Sequence, residues 1–372
     1  IYYFTVRGYD INRLVSPPSN EVVFTTPAAC TFGLSSSTQE FGPAGGASGV
    51  TLTTSDSCRW SVGTNASWLT LNSASLAGTG PRALGYTVAR NVAKNARVGI
   101  IYSGNRSVTV VQQGRSRSDF NGDGLNDLVW QNDKTGALSV WRMKGTTLDR
   151  GEFLTPSTTG DPKWKLMGTL DADRDGNVDL LLQHDDGRVA IWRMAGETRI
   201  ENVALTNSVV ADPLWRIVAT GDMDSDEIDD IIWQHKDGRV NVWYMNGLQM
   251  RQSALLATVS DARWRVASID DYNDDGKLDI LWRHTSWGQL LVWHMDNRQY
   301  LSHGMAVTMA NSQWEIVASA DFNGDRKTDL IWRNNSTGEM ATWFLSDGDI
   351  LDSQMLNPER VGDISWRIAG PR

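Results

Sequence analysis

The sequence predicts an all-β protein in which residues 116–372 form a five-bladed β-propeller. A unit of about 50 residues occurs five times in this region, and a period of this size is typical of propeller blades. Each copy contains short apolar strands separated by turn residues, without a helical period. In addition, 15 of the 17 tryptophans lie in this region, which sets it apart from the Ser-, Thr- and Gly-rich stretch before it.

Every copy of the unit begins with an acidic loop and continues with three strands. The loop leads into an apolar strand such as Ile231–Trp233, and a turn leads to a second strand centred on a tryptophan such as Trp243. A third strand begins at another tryptophan, such as Trp264, and leads into the next loop. Because one unit cannot bury its own apolar face, neighbouring units must stack. The loops begin at Asp119, Asp171, Asp222, Asp271 and Asp321.

The two ends of the repeat region complement each other. The first copy lacks the tryptophan-led strand that precedes the other loops, and Ile364–Ala369 is such a strand without a following loop. Together they would complete one blade, which favours a ring of five blades closed within this chain. The alternative is an open arc that needs another chain.

The acidic loops have the residue pattern of a calcium site. Oxygen-bearing side chains occupy loop positions 1, 3, 5 and 9 in all five copies, and the backbone carbonyl at position 7 is expected to add a ligand. Ca²⁺ is a hard ion that takes six to eight oxygens at about 2.3–2.6 Å. An EF-hand would need Glu at position 12, where these loops have Leu or Trp inside a strand. For a single loop an acidic turn without metal is the alternative, but five loops in register favour calcium, with up to five ions.

The five loops are not equivalent at position 6. Glycine is expected there because the backbone is left-handed, but the residue is Glu227 in the third loop and Arg326 in the fifth. We therefore expect weaker calcium binding in these two loops. The predicted ligands are Asp119, Asn121, Asp123, Leu125 and Asp127; Asp171, Asp173, Asp175, Asn177 and Asp179; Asp222, Asp224, Asp226, Ile228 and Asp230; Asp271, Asn273, Asp275, Lys277 and Asp279; and Asp321, Asn323, Asp325, Lys327 and Asp329.

Composition excludes several classes of function. The net charge of −9 disfavours nucleic acid as a partner, and five bound Ca²⁺ ions would bring it to about +1. No apolar run approaches the roughly 20 residues of a membrane span. The sequence contains no nucleophile motif, zinc-type Cys/His spacing or phosphate loop, so we do not expect an enzyme.

Residues 117–372 resemble the FG-GAP/VCBS repeat family. The resemblance is carried by Asp-x-Asn/Asp-x-Asp-Gly-x-x-Asp followed by Leu-Val/Ile-Trp, and by Val-Trp-x-Met after the turn. It implies a calcium-stabilised β-propeller in a secreted or cell-surface protein, here bacterial. Adhesion or carbohydrate recognition is the function it implies, without a defined ligand.

Residues 28–115 resemble a BACON-type domain, which implies an immunoglobulin-like sandwich. The stretches that carry this resemblance include Cys58–Trp60, Ala66–Leu69 and Val108–Gly114. The two cysteines of the chain, Cys30 and Cys58, both lie here and predict a single disulfide in an oxidising compartment. Two buried free thiols are the alternative.

Residues 1–27 resemble the last strands of a fibronectin type III domain, through Tyr2–Asp10 and Ser19–Val22. Two strands do not make a stable domain alone. Either earlier residues precede them, as in a processed or truncated chain, or the hairpin completes its sheet on another copy by strand exchange.

A ligand-binding face is suggested by four residues of the repeat region. The repeated tryptophans are expected to pack between blades, but Trp287 lies outside the repeated positions and follows a turn. His184, His235 and His284 follow the first apolar strand in register. They would line one face together with Trp287, or lie in solvated turns.

These features predict a secreted or cell-surface calcium-binding protein that recognises a glycan or another surface polymer through its propeller. One alternative is a structural subunit of an extracellular filament or coat, assembled from other copies through the N-terminal strands. A second is a non-catalytic accessory region of a larger secreted hydrolase. Neither nucleic acid binding nor membrane insertion is expected.

Overall fold

The structure is a computed structural model that describes residues 2–24, 29–91, 93, 96–114, 116–309, 313–346 and 348–372. The boundary expected between residues 27 and 28 lies outside the described residues, as does residue 115 at the expected end of the second domain. The chain divides into two compact units. The first comprises Ile1–Gln39, Ala47–Val88 and Gly99–Val110, and the second comprises Glu40–Gly46, Ala89–Val98 and Val111–Arg372.

The strands before the repeat region form a hairpin and two sheets. They are β1 (Tyr2–Phe4), β2 (Val22–Phe24), β3 (Gly33–Leu34), β4 (Thr38–Phe41), β5 (Gly46–Thr53), β6 (Arg59–Thr64), β7 (Leu69–Leu71), β8 (Ala77–Thr79), β9 (Arg82–Val88), β10 (Arg97–Ser103) and β11 (Arg106–Gln112). The hairpin pairs β1 with β2. The sheets have the orders β3-β5-β9-β7 and β4-β11-β10-β6-β8. Cys30 and Cys58 are joined by a disulfide with an S–S distance of 2.06 Å.

The repeat region is built from strands β12 to β31. They are β12 (Leu128–Asn132), β13 (Ala137–Lys144), β14 (Thr147–Thr158), β15 (Trp164–Leu170), β16 (Asp179–His184), β17 (Arg188–Ala195), β18 (Thr198–Val209), β19 (Trp215–Gly221), β20 (Asp230–His235), β21 (Arg239–Asn246), β22 (Gln249–Thr258), β23 (Trp264–Asp270), β24 (Asp279–His284), β25 (Gln289–Asp296), β26 (Gln299–Thr308), β27 (Trp314–Ala320), β28 (Asp329–Asn334), β29 (Glu339–Ser346), β30 (Asp349–Arg360) and β31 (Trp366–Gly370).

These strands pair as five antiparallel groups of four, which we number sheets 1 to 5. Sheet 1 is β31-β12-β13-β14, and sheets 2 to 5 are β15 to β18, β19 to β22, β23 to β26 and β27 to β30. We call the first strand of each sheet its inner strand. The inner strand of sheet 1 comes from the other end of the repeat region, because β31 pairs with β12 from Asn132 opposite Trp366 to Val129 opposite Gly370.

The inner strands contact one another in cyclic order. The neighbours along this cycle are β15, β19, β23, β27 and β31, and β31 in turn contacts β15. An acidic loop follows the last residue of β15, β19, β23 and β27, so these loops share one end of the cycle. The tryptophans that begin the inner strands lie at the opposite end.

Each pair of neighbouring sheets shares a hydrophobic core. Val140 of sheet 1 packs in one cluster with Leu166 and Leu180 of sheet 2, for example. The last core joins sheets 5 and 1 through Ile331 and Ile368. Four second-strand tryptophans are at most 2% exposed within these cores, which confirms the predicted packing role of the repeated tryptophans. They are Trp130, Trp233, Trp282 and Trp332.

The described part of the chain is all-β. Its one helical segment is a single 3₁₀ turn, Ser73–Ser75. Among the described residues there is accordingly no helix of the length and apolarity that crossing a membrane requires.

Candidate metal sites and the surrounding surface

The second to fifth acidic loops each connect an inner strand to the second strand of its sheet, and the first loop directly precedes β12, the second strand of sheet 1. The backbone of each loop turns back on itself, so its N–H groups are not paired with a neighbouring strand. Carboxylates of the same loop accept hydrogen bonds from several of these N–H groups. In all five loops the position-5 carboxylate accepts the N–H of position 7, at 2.7–3.0 Å. The oxygen-bearing side chains therefore hold the loop closed as well as point into it.

The position-1 carboxylate accepts the N–H of position 6 in four loops. In the first loop Gly124 N donates to Asp119 Oδ2 at 2.7 Å. The same bond is made by Glu227, Gly276 and Arg326 in the third, fourth and fifth loops, at 2.8–2.9 Å. In the second loop, Asp171 forms an ion pair with Arg90.

The bond from position 6 is made with a left-handed backbone, as the sequence predicts. The φ angle at this position is 69° at Glu227 and 72° at Arg326, where side chains are disfavoured. Position 4 is also left-handed in all five loops, which the sequence does not predict, because only two loops have glycine there. Its φ angles are 76° at Gly122, 64° at Arg174, 61° at Ser225, 59° at Asp274 and 83° at Gly324.

The position-9 aspartates are completely buried and bind backbone through both oxygens. Asp230 Oδ2 accepts the N–H of Met223 at 3.0 Å, and its Oδ1 accepts the N–H of Met245 at 2.9 Å. The first bond closes the loop, and the second ties it to the third strand of the sheet. Asp127, Asp179, Asp279 and Asp329 make the equivalent pair of bonds.

Burial raises the pKa of these position-9 carboxyl groups. The pKa rises to about 7 at Asp127, Asp179 and Asp329 and to about 8 at Asp230, mainly because burial disfavours the charged form. Neighbouring loop carboxylates raise these pKa values further. A cation held among the carboxylates would offset both effects.

Two loops bring three carboxylates to within 4.8 Å of one another, so they could bind a metal ion. They are Asp171, Asp173 and Asp175, and Asp222, Asp224 and Asp226. The other three loops carry Asn at position 3 and so contribute one carboxylate fewer. The third loop has a second feature that suits a cation. Asp224 Oδ1 is buried and has no hydrogen-bond partner among the described atoms.

Arginine side chains neutralise part of the charge in these two loops. Arg193 pairs with Asp173, and Arg251 pairs with Asp224 and Asp226. These guanidinium groups reach the carboxylates from β17 of sheet 2 and β22 of sheet 3. These contacts are charge-assisted hydrogen bonds, which are stronger than those between neutral groups.

The three histidines expected on a ligand face are buried, which corrects that expectation. His184 and His235 are 6% exposed and His284 is fully buried. Each ring lies 5.1 Å from the tryptophan that begins the inner strand of its own sheet. Each Nε2 lies 3.0–3.3 Å from an aspartate 23 residues earlier. This contact holds the segment that precedes the inner strand. These aspartates are Asp161, Asp212 and Asp261.

Trp287 is the one candidate of that face which the structure places at the surface. Its side chain is 56% exposed. Its ring stacks on His284 with centroids 4.0 Å apart and an interplanar angle of 14°. The guanidinium carbon of Arg263 lies 5.3 Å from the Trp287 ring centroid. The indole is thus held rigidly while more than half of it faces solvent.

Glutamines after the apolar strands join neighbouring sheets. Gln183 Nε2 donates to the carbonyl of Trp215 at 2.9 Å, and its Oε1 accepts the N–H of Ile217 at 3.1 Å. Gln131 and Gln234 make the same two bonds to β15 and β23. In sheets 4 and 5 this position is arginine, and Arg283 and Arg333 lie over Trp332 and Trp130 of the next sheet.

The second residue of every inner strand is charged, a feature that the sequence reasoning missed. Four of the five are basic. The repeat itself carried this signal, since the residue always follows the tryptophan that begins the strand. The residues are Lys165, Arg216, Arg265, Glu315 and Arg367.

Comparison with known proteins finds a family that is similar to parts of the repeat region. A family described as FG-GAP-like repeat matches residues 119–182 and 271–332, which include the first, second, fourth and fifth acidic loops. The match and the strand order together make the repeat region a β-propeller. No curated protein sequence matches the chain.

Several solved structures are similar to the chain at low TM-scores. A Bacteroides ovatus GH5 xyloglucanase in complex with a XXXG heptasaccharide is 16% identical with a TM-score of 0.21, and the match covers 25% of this chain and 21% of the xyloglucanase. A nidogen/laminin complex is 12% identical over 63% of this chain and 95% of that chain, with a TM-score of 0.38. The Dos1 propeller is 11% identical over 59% of this chain and 55% of that chain, with a TM-score of 0.31. At these scores none of them bears on function.

Proposed function

We propose that this protein is an extracellular recognition protein whose five-bladed propeller carries a Ca²⁺ site in each blade and binds a glycan or another surface polymer. The observation that carries the proposal is the acidic loop, repeated five times with the same oxygens and the same two left-handed positions. Hard oxygen ligands at this spacing suit Ca²⁺ better than Mg²⁺, which demands tighter octahedral geometry. Binding rather than catalysis is proposed.

Five blades in a closed ring are part of this proposal. The support is the pairing of β31 with β12 and the cyclic contacts of the inner strands. Under this reading the ring holds the five loops at one end, at similar distances from its axis. Calcium would fasten each loop to the sheet that it begins.

The region before the repeat is proposed to be a spacer of immunoglobulin-like design, of the BACON type, preceded by fibronectin-type strands. Its two sheets and its disulfide support the sandwich. A disulfide persists in oxidising compartments, which supports secretion or surface display. Neither nucleic acid nor a membrane interior is a proposed partner.

A glycan array tests the proposed function. The full chain is applied in buffer with Ca²⁺ and again with chelator, and a subset of glycans is expected to retain it only with Ca²⁺. A chain that binds no glycan in Ca²⁺ on a broad array would contradict the proposal. Retention that is unchanged by chelator would support glycan binding but would show that this binding does not depend on calcium.

Assembly into a filament is a second candidate, and the β1–β2 hairpin favours it. Several apolar side chains of this segment are exposed, including Tyr3 at 60%, Val6 at 72% and Ile11 at 99%. Such a hairpin offers strand edges and apolar area to a second copy. Electron microscopy of the chain at high concentration tests this: filaments are expected, and strictly single particles would exclude it.

A further inference from the structure

A cleft of about 360 Å³ lies where the inner strands β19 and β23 begin. Three basic side chains line it, Arg216, Lys236 and Arg265. Pro213, Leu214 and Val218 form an apolar part of the same wall. Gln234 and His235 complete the lining, so polar and apolar groups meet in one cleft. Its volume lies within the usual range of small-ligand sites.

Among the described residues, the three positive charges of this cleft have no ion-pair partner. Arg216 Nη1 donates to the carbonyls of Pro213 and Trp215, at 2.7 and 3.1 Å. Arg265 donates to the carbonyls of His235 and Lys236, at 3.4 and 3.1 Å. Within the described part of the chain, no carboxylate forms an ion pair with Arg216, Lys236 or Arg265. Backbone carbonyls orient these guanidinium groups without neutralising them.

The other two basic residues at the second position of an inner strand do have an acidic partner. Lys165 and Arg367, at the equivalent positions of sheets 2 and 1, both pair with Asp133, at 3.4 and 2.8 Å. Two carboxylates lie beside the cleft, because Asp212 and Asp237 both contact His235, which is one of its lining residues. Asp237 also pairs with Arg239. Three basic side chains without an ion-pair partner among the described residues thus line one cleft between sheets 3 and 4, in a chain whose net charge is −9.

We propose that this cleft binds the carboxylate or sulfate group of an acidic polysaccharide. The inference rests on the proposed glycan recognition and adds the chemical class of the glycan. Guanidinium groups bind such planar or tetrahedral oxyanions through paired hydrogen bonds, and the ammonium group of Lys236 adds a point charge. The apolar wall suits the C–H face of a sugar ring that carries the acidic group.

Partial burial supports an anionic ligand. Burial lowers the pKa of the Arg265 guanidinium, because the charged form is partly removed from water. An oxyanion in the cleft would restore the lost stabilisation. The acidic loops lie at the other ends of the inner strands, and seven residues of strand span about 20 Å. Their negative charge is therefore largely screened from the cleft at physiological salt.

The number of positive charges in the cleft does not favour a nucleic acid as its ligand. A protein that binds the backbone of a nucleic acid makes many phosphate contacts along a basic surface. The cleft offers three positive groups within one site, enough for a single acidic substituent. Binding to single-stranded DNA is nevertheless measured, so that the two macromolecules are distinguished.

The test is isothermal titration calorimetry with the full chain in Ca²⁺ buffer. The probes are an oligogalacturonate, dextran sulfate, neutral dextran and oligo-dT. The Arg216→Gln/Lys236→Gln double variant removes two cleft charges, and Arg265→Gln removes the third. The matched control is Lys144→Gln/Arg150→Gln, which removes one lysine and one arginine that are each 64% exposed on sheet 1. Unchanged circular dichroism and melting temperature establish that each variant is folded.

Oligogalacturonate or dextran sulfate is expected to bind, with affinity lost about tenfold or more in the cleft variants and unchanged in the control. Preference for the first probe assigns a carboxylate, and preference for the second a sulfate ester. Equal losses in the cleft and control variants, binding of neither acidic polymer, or tighter binding of oligo-dT would each overturn the inference. If a neutral glycan binds wild type and cleft variants alike, the inference fails while the proposed function stands.

Discussion

At the scale of single residues, the loop aspartates have a structural role that the ligand pattern does not reveal. The pattern predicts where oxygens are needed, and position 9 is one of those places. The structure adds that both oxygens of Asp230, for example, accept backbone N–H groups from two different segments. That role depends on the third strand, which is distant in sequence and so leaves no mark in the loop itself.

Glycine is the residue that position 6 favours, so Arg326→Gly should stabilise the protein. Arg326 is exposed and has a φ of 72°, so the substitution relieves backbone strain without removing buried contacts. A left-handed side chain costs about 1–2 kcal/mol, and the greater freedom of unfolded glycine offsets about half of the gain. We expect the free energy of unfolding to rise by about 0.5–1 kcal/mol in urea titrations with Ca²⁺.

Gly276→Ala is the matched control for that substitution. Gly276 occupies the same loop position with a φ of 83°, and an added Cβ would meet no atom within 4 Å. The change in the free energy of unfolding caused by Gly276→Ala therefore depends on backbone conformation alone. We expect a destabilisation of about 1 kcal/mol. If both substitutions left the stability unchanged, the left-handed assignment at position 6 would be wrong.

At the scale of elements, the strands and loops were predictable because their signals are local. Apolar runs, turn glycines and the 50-residue period depend only on neighbouring residues. The burial of His184 was not predictable, because it depends on Asp161 and Trp164 from the preceding connection. The lack of an ion pair at Arg216 among the described residues was equally hidden, since ion pairing there depends on how neighbouring sheets are placed.

Gln183 shows how sheets are joined beyond apolar packing. Gln183→Ala would leave the carbonyl of Trp215 and the N–H of Ile217 without their side-chain partner in a buried setting. Each such group costs about 1–3 kcal/mol, so we expect a destabilisation of about 2–4 kcal/mol in urea titrations.

Gln252→Ala, at an exposed position of β22, is the control for Gln183→Ala and should change the stability by less than about 0.5 kcal/mol. Equal effects of the two substitutions would show that the glutamine bridges between sheets do not contribute to stability.

At the scale of the whole molecule, the proposed ring depends on β31 as much as on any inner strand. Ile368 of β31 lies in the core between sheets 5 and 1 and is 2% exposed. Ile217 occupies the equivalent place in β19 and is fully buried. The ends of the repeat predicted this pairing, because each lacks what the other supplies.

Ile368→Ala and Ile217→Ala should therefore destabilise the protein to a similar extent. Truncating a buried isoleucine costs about 2–5 kcal/mol, and each substitution should lower the urea midpoint in a single cooperative transition. A small effect of Ile368→Ala beside a large effect of Ile217→Ala would mean that β31 is not an integral part of the ring.

Calcium binding by the five repeated loops is measured directly by equilibrium dialysis combined with thermal unfolding of the full chain. We expect up to five Ca²⁺ ions per chain, with the second loop, which combines three carboxylates with Gly176, filling before the fifth, which has Asn323 and Arg326. Each site contributes about 2.7 kcal/mol when free Ca²⁺ is 100 times its Kd, so chelation should lower the melting temperature substantially. No bound Ca²⁺ together with a melting temperature unchanged by chelator would contradict the account.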